Sequence, residues 1–172
     1  MASSLNGDQI ISGHLDGSIY KYNIETQKAV KIAQHSSPPF ALDWGEHICA
    51  AGNDGRVIFY KEDGNVLQRF DYTYDTAVKE FTTASFNPSG DTIVLGNFNR
   101  FYVYQYNPKR MEWAETDVKQ IENLYSVTAL TWKLDGSKLV IGSLCGSCDI
   151  FDACLKKARY KDMYEFTYVS PS

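Results

Sequence analysis

Three stretches of the chain superpose on one another without a gap. They are Asn6-Gly7-Asp8-Gln9-Ile10-Ile11-Ser12-Gly13, Ser89-Gly90-Asp91-Thr92-Ile93-Val94-Leu95-Gly96 and Asp135-Gly136-Ser137-Lys138-Leu139-Val140-Ile141-Gly142. Each is a polar Gly turn, then a β-branched or Leu run, then a Gly. A fourth copy, His47-Ile48-Cys49-Ala50-Ala51, is degenerate and follows a shorter turn at Gly45-Glu46. Register positions Gly13, Ala51, Gly96 and Gly142 lie 38, 45 and 46 residues apart. Strand-forming repeats of this period build four-stranded propeller blades. No helical period competes over a long window, so the chain reads as all-β.

Each repeat can be followed strand by strand. The first strand reads Ala41-Leu42-Asp43-Trp44, Thr83-Ala84-Ser85-Phe86 and Ala129-Leu130-Thr131-Trp132. Period-two alternation puts Leu42 with Trp44, and Leu130 with Trp132, on one face. The second strand is the superposable run. Tight two-residue turns are expected after it at Asp16-Gly17, Asp54-Gly55, Asn99-Arg100 and Cys145-Gly146. The third strand follows, as in Arg56-Val57-Ile58-Phe59-Tyr60. Candidates for the fourth are Ala29-Val30-Lys31-Ile32, Val66-Leu67-Gln68-Arg69-Phe70, a segment near Glu112-Trp113-Ala114-Glu115, and Tyr164-Glu165-Phe166-Thr167-Tyr168-Val169. Asp117–Leu124 reads as an irregular connector with at most one helical turn. Asp71–Glu80 reads as a long, exposed, acidic loop between blades.

The expected organisation is about four antiparallel blades, near 1–35, 36–72, 80–118 and 125–169. The first is incomplete, because Asn6-Gly7-Asp8 is already a turn and little chain precedes it to form an innermost strand. A piece of a larger ring is the expected reading, and a closed four-bladed ring the alternative. An arc would leave apolar blade faces for the remainder of the propeller, or a partner, to cover.

Composition narrows the function classes. Net charge is −4 and no basic block exists to meet a phosphate backbone, so nucleic acid is not expected as a partner. No apolar run is long enough for a membrane-spanning helix, and Met1–Asp8 lacks the pattern of a secretory signal. Aromatics make up 14% of the chain, which suits β-sheet cores.

Few residues carry a chemical signal. Cys145, Cys148 and Cys154 cluster, and Cys49 stands alone. One Cys-x-x-Cys pair without a nearby histidine falls short of a zinc site. Cys145 also occupies the hairpin position held elsewhere by Asp16, Asp54 and Asn99. Structural, reduced thiols are the expectation. His14, His35 and His47 fall at repeat boundaries, and structural or solvated roles are expected for them. Asp16, Asp54 and Asp135 precede glycines, so turn chemistry accounts for them. Lys156-Lys157-Ala158-Arg159-Tyr160-Lys161 reads as a solvated loop, with a contact patch for an acidic partner or membrane surface as the sharper alternative. No phosphate-cradling glycine motif exists. No catalytic, cofactor-binding or metal residue is therefore named, and no enzyme is expected. The weaker alternative is a propeller enzyme using the channel-facing first strands, where Asp43 is the one acid.

The order of strands and turns resembles the WD40 repeat, in degenerate form. Only Phe151-Asp152 approaches the Trp-Asp ending; Tyr22-Asn23, Tyr60-Lys61 and Tyr106-Asn107 stand there elsewhere. A more specific likeness rests on the order and spacing of Ser4-Leu5-Asn6-Gly7-Asp8, Ile11-Ser12-Gly13-His14, Pro38-Pro39-Phe40-Ala41-Leu42, Phe70-Asp71-Tyr72, Glu80-Phe81-Thr82-Thr83-Ala84, Asn123-Leu124-Tyr125, Leu144-Cys145-Gly146 and Thr167-Tyr168-Val169. Together these resemble the N-terminal WD40 propeller of the largest subunit of the ciliary intraflagellar transport B complex. The resemblance implies a non-catalytic scaffold that helps assemble cargo trains moving along the axoneme. It also implies contacts with other complex B subunits, a calponin-homology-bearing one among them, and residence in the cilium or flagellum, the basal body and a cytoplasmic pool. A vesicle-coat-like propeller acting at membranes is the fold-level alternative.

Overall fold

The computed structural model describes residues 1–153 and, as backbone, 155–160 and 164–169. Its first sheet orders β1 (Ala2–Ser3), β2 (Gln9–Gly13), β3 (Ser18–Asn23) and β4 (Lys28–Gln34) side by side. The second orders β5 (Ala41–Trp44), β6 (Ile48–Ala51), β7 (Arg56–Tyr60) and β8 (Val66–Asp71). The third orders β9 (Thr83–Phe86), β10 (Thr92–Gly96), β11 (Arg100–Asn107) and β12 (Glu112–Gln120). The fourth holds β13 (Val127–Trp132), β14 (Lys138–Ser143) and β15 (Cys148–Asp152). A separate hairpin pairs β16 (Leu155–Tyr160) with β17 (Tyr164–Val169). The first strands pack against one another in order, β1 on β5, β5 on β9 and β9 on β13. The result is a propeller-like arc of blade-like antiparallel sheets that does not close. No helix long and apolar enough to cross a membrane is found among the described residues.

Period-two alternation sends neighbouring residues of one strand into different cores. In β6, Ile48 and Ala50 join Ile11, Ile19, Leu42, Trp44 and Ile58 between the first and second sheets. Cys49 and Ala51 instead join Phe59, Phe86, Ile93, Leu95, Tyr104 and Trp113 between the second and third. Every residue of β6 and β10 is buried, because these strands lie in sheets covered on both faces. In β14, by contrast, Leu139 and Ile141 are buried while Val140 between them is only partly covered. The fourth sheet packs on the third through Val94, Phe101, Val127, Leu139 and Ile141. Its opposite face, with Val140 and exposed Ile150, has no sheet against it among the described residues.

Polar clamps fix the seams. The Gln68 amide donates to the Trp113 carbonyl (2.6 Å) and accepts from its N–H (2.7 Å), tying β8 to β12. The Asp43 carboxylate accepts from the Phe86 N–H (2.7 Å) and the Trp44 N–H (2.9 Å). Burial raises the Asp43 pKa against these two bonds. The one acid on the first strands is thus a strut. The Trp132 indole donates to the Ser85 carbonyl (3.1 Å).

Four expectations are corrected. The Asp117–Leu124 connector is mostly strand, since β12 runs through Gln120. An outermost strand needs only one hydrogen-bonded neighbour, so its mixed charges are tolerated there. The innermost place in the first sheet is not empty: β1 fills it as a two-residue stub, pairing Ala2 with Ile11 and Ser3 with Ile10. Tyr164–Val169 does not pair with β15. It forms a hairpin with Leu155–Tyr160, in register from Leu155↔Val169 to Tyr160↔Tyr164, so the basic stretch 156–161 expected as a loop is strand through Tyr160, and Lys161 lies outside the described residues. The two runs are close in sequence, and local antiparallel pairing has a low closure cost.

Candidate interaction surface

Register gathers three kinds of connection at one end of the arc. Ala41 pairs with Ala51, Thr83 with Gly96 and Val127 with Ser143, so loops entering the first strands adjoin the hairpin tips. Pairing of Ser18 with Gln34, Arg56 with Asp71 and Arg100 with Gln120 brings the sheet-to-sheet crossovers to this same hairpin end.

The tips are one residue longer than a two-residue turn. In the first sheet the Gly17 N–H donates to the His14 carbonyl (2.9 Å) and the His14 N–H to the Ser18 carbonyl (2.9 Å). Gly17, at φ 83°, occupies the left-handed position of a three-residue loop with a bulge. Asp16 accepts from the Ser18 N–H (2.9 Å), the turn role expected of it. The third sheet departs from this plan. Its Asn97 N–H donates directly to the Arg100 carbonyl (2.9 Å), so Phe98-Asn99 forms a shorter tip without glycine.

These tips carry apolar residues. Leu15, Phe98 and Leu144 each stand two after a register glycine, and they are 81%, 37% and 65% exposed. Phe98 meets Tyr125 edge to face at 4.8 Å between ring centroids. The Ser126 N–H donates to the Phe98 carbonyl (2.5 Å), and the Leu144 N–H to the Tyr125 (3.1 Å) and Ser126 (2.9 Å) carbonyls. Phe98, Tyr125 and Leu144 therefore form one ridge, fastened through backbone bonds. Asn123 (φ 59°) and Ser126 (φ 55°) both adopt the left-handed region, bending the crossover so that Leu124 points into the core and Tyr125 out. Beside the ridge lies a cleft of about 610 Å³, walled by Asp54, Tyr72, Asp75, Glu80, Phe98 and Ser126. The Asp71–Glu80 loop is largely exposed, as expected, and is anchored through the Tyr72 side chain and the Lys79 backbone. The Tyr72 hydroxyl bonds to Tyr104 (2.5 Å) and Glu115, and burial raises the pKa of both phenols.

The histidines behave as packing groups. His35 is buried, its Nε2–H donating to Asp54 (3.4 Å) and its Nδ1 accepting from Tyr60 (3.3 Å). Burial lowers its pKa more than Asp54 raises it, so near neutrality the pair is a hydrogen bond and not an ion pair. Burial also holds the Tyr60 phenol up at about 12. His47 packs edge-on against Tyr106 (4.8 Å), and His14 against Tyr20 (5.1 Å).

Cys49 is buried, and burial pushes its thiol well up. Cys145 and Cys148 are exposed; Cys154 lies outside the described residues. The Cys145 sulfur sits 2.9 Å from Ser143 Oγ and 3.6 Å from Ser147 Oγ, and these hydroxyls hold its pKa down at about 6. Sequence reading foresaw the turn position of Cys145 but not this environment. It also passed over Phe98, Tyr125 and Leu144 as surface residues. The available signal was an apolar side chain at a hairpin tip, where polar residues are the rule.

A second hollow, about 480 Å³, opens between the third and fourth sheets over Val94, Phe101, Trp132, Leu139 and Phe151. Lys119 lies 4.8 Å above the Phe151 ring there. Among the described residues no group of three His, Cys, Asp or Glu side chains is placed to hold a metal ion.

No protein-family profile matches the chain. Individual proteins do, along its whole length. It is 50% identical to intraflagellar transport protein 172 of Chlamydomonas reinhardtii and 42% identical to the Homo sapiens homolog, covering 100% of this chain in both. Intraflagellar transport protein osm-1 of Caenorhabditis elegans is 37% identical over 94% of it. The chain spans about a tenth of the length of these relatives.

Proposed function

Homologous throughout to the N-terminal region of intraflagellar transport protein 172, this chain is, we propose, part of a non-catalytic scaffold in intraflagellar transport. The observation that carries the reading is identity of up to 50% across the whole chain to a transport protein. Blades near 1–35, 36–72, 80–118 and 125–169 act as rigid units that hold loops in place, and loops on a rigid frame are where such proteins bind. The partners are other intraflagellar transport proteins, with the remainder of its own propeller covering the open sheet faces. The site of action is the cilium or flagellum, with basal body and cytoplasmic pools feeding it, and the task is assembly of cargo trains. The similarity favours this over a coat-like role at membranes.

The test is affinity purification of the full-length protein from ciliated cells, with depletion in parallel. Co-purification of intraflagellar transport proteins and shortened cilia are expected. Normal cilia after depletion, or purification without transport proteins, would overturn the reading.

A further inference from the structure

We propose that the hairpin end, between the second and fourth sheets, docks a polypeptide segment in which basic side chains flank aromatic or aliphatic ones. This rests on the scaffold reading and adds the chemistry of one partner.

The apolar half of the argument is the Phe98–Tyr125–Leu144 ridge. Tyr125 is 53% exposed although Leu124 before it is buried. Two non-glycine residues, Asn123 and Ser126, hold left-handed backbone to achieve that arrangement. Such backbone is costly and is concentrated at working surfaces. Backbone bonds from Ser126 to Phe98 and from Leu144 to Tyr125 pre-form the ridge, so little ordering is needed when a partner arrives. Aromatic residues in this setting are the usual anchors of protein interfaces.

The charged half is the cleft beside it. Phe98 and Ser126 line the same hollow as Asp54, Asp75 and Glu80. Loops and strand ends here carry Asp54, Asp71, Asp75, Glu80 and Glu122 against Arg56, Lys79 and Arg100, and Arg56 is paired with Asp71 (3.3 Å). The Lys79 ammonium is already donating to the Thr76 carbonyl (3.1 Å). An apolar ridge bordered by carboxylates complements a segment with an apolar centre and Lys or Arg at its edges, and it repels an anionic lipid surface.

The test measures fluorescence anisotropy of a short peptide alternating Arg with Leu and Trp against the full-length protein. The comparison peptide has Glu in place of each Arg. The Arg peptide is expected to bind and the Glu peptide to fail. Phe98→Ser with Tyr125→Ser should weaken binding by roughly tenfold or more. Asp75→Lys with Glu80→Lys, on an exposed loop that tolerates change, should do the same. Glu62→Lys with Asp63→Lys, at the opposite end, should leave it unchanged. Equal binding of both peptides, equal loss from the opposite-end pair, or preference for phosphatidylserine vesicles over the Arg peptide would overturn the proposal. Co-purification of transport proteins without peptide binding would discard this docking surface while leaving the scaffold reading intact. Absence of co-purification would instead remove the scaffold reading.

Discussion

His35 of the first crossover and Asp54 of the second sheet's hairpin meet across a buried seam at 3.4 Å. Their order in space is the reverse of ordinary ion pairing: burial keeps the imidazole neutral beside a carboxylate. The folded chain therefore resists the proton that the unfolded chain takes up from about pH 6.5 downward. The unfolded state binds more protons there, so stability falls as pH drops below about 6.5. His47, also lowered by burial, adds in the same direction. Urea midpoints are expected to decline between pH 7.5 and 5, and His35→Gln should flatten part of that decline. An unchanged slope in the variant would contradict this account.

Trp113 should be the costliest single truncation. It is almost fully buried, stacks on Phe59 at 4.4 Å and 8°, and meets Phe86 and Tyr106 edge-on or tilted. Trp113→Ala is expected to cost about 3–5 kcal/mol, measured by chemical denaturation. A loss below about 1 kcal/mol would mean that the second and third sheets do not share this core.

Gly64 tests the seam between the first and second sheets from its other end. Its φ is 86°, and a Cβ there would collide with the Ile32 carbonyl of β4. Gly64→Ala is expected to destabilise by roughly 1–3 kcal/mol or more. A neutral result in the same denaturation assay would refute the packing of β4 on that turn.

Cys145 should be the most reactive of the described thiols. With its pKa near 6, about nine in ten are thiolate at pH 7. Iodoacetamide labelling followed by mass spectrometry should show Cys145 modified well ahead of Cys49, with a reactivity midpoint near pH 6. Ser143→Ala with Ser147→Ala should move that midpoint up toward the ordinary thiol value. A wild-type midpoint at the ordinary value would show that the two hydroxyls do not bind the sulfur.

The open faces predict behaviour in isolation. Tyr22 on the first sheet and Ile150 on the fourth are exposed on faces where a neighbouring blade would cover them. The 172-residue chain alone should therefore self-associate in sedimentation experiments. A cooperatively unfolding monomer would count against the need for covering blades.

The strands were legible because alternation and the Gly register are local. Ile93-Val94-Leu95 declares itself as a strand whatever lies around it. The full length of β12 is hidden in sequence because its alternation of Glu115, Asp117 and Lys119 lacks the apolar face by which strands are recognised. Hairpin length at Asp16-Gly17 is not legible in sequence, because the dipeptide suits both two- and three-residue loops and only hydrogen-bond register separates them. The ridge was invisible for another reason. Phe98, Tyr125 and Leu144 come from separate loops, and nothing in their own neighbourhoods says that three backbones will be fastened together.

Asn97 is fully buried, and its side chain holds the Lys79 backbone through both its carbonyl (3.0 Å) and its amide (2.9 Å). It performs for the second crossover what Asp54 performs for the first, with a group that carries no charge at any physiological pH. The arc thus has one joint that listens to acidity and one that is deaf to it. Mild acid should loosen the first crossover before the second, while His47, packed against Tyr106 and Trp113, carries an acid response into the seam of the second and third sheets. Unfolding would then begin at an address written by what holds each crossover: a carboxylate on an imidazole at the first, an amide on backbone at the second.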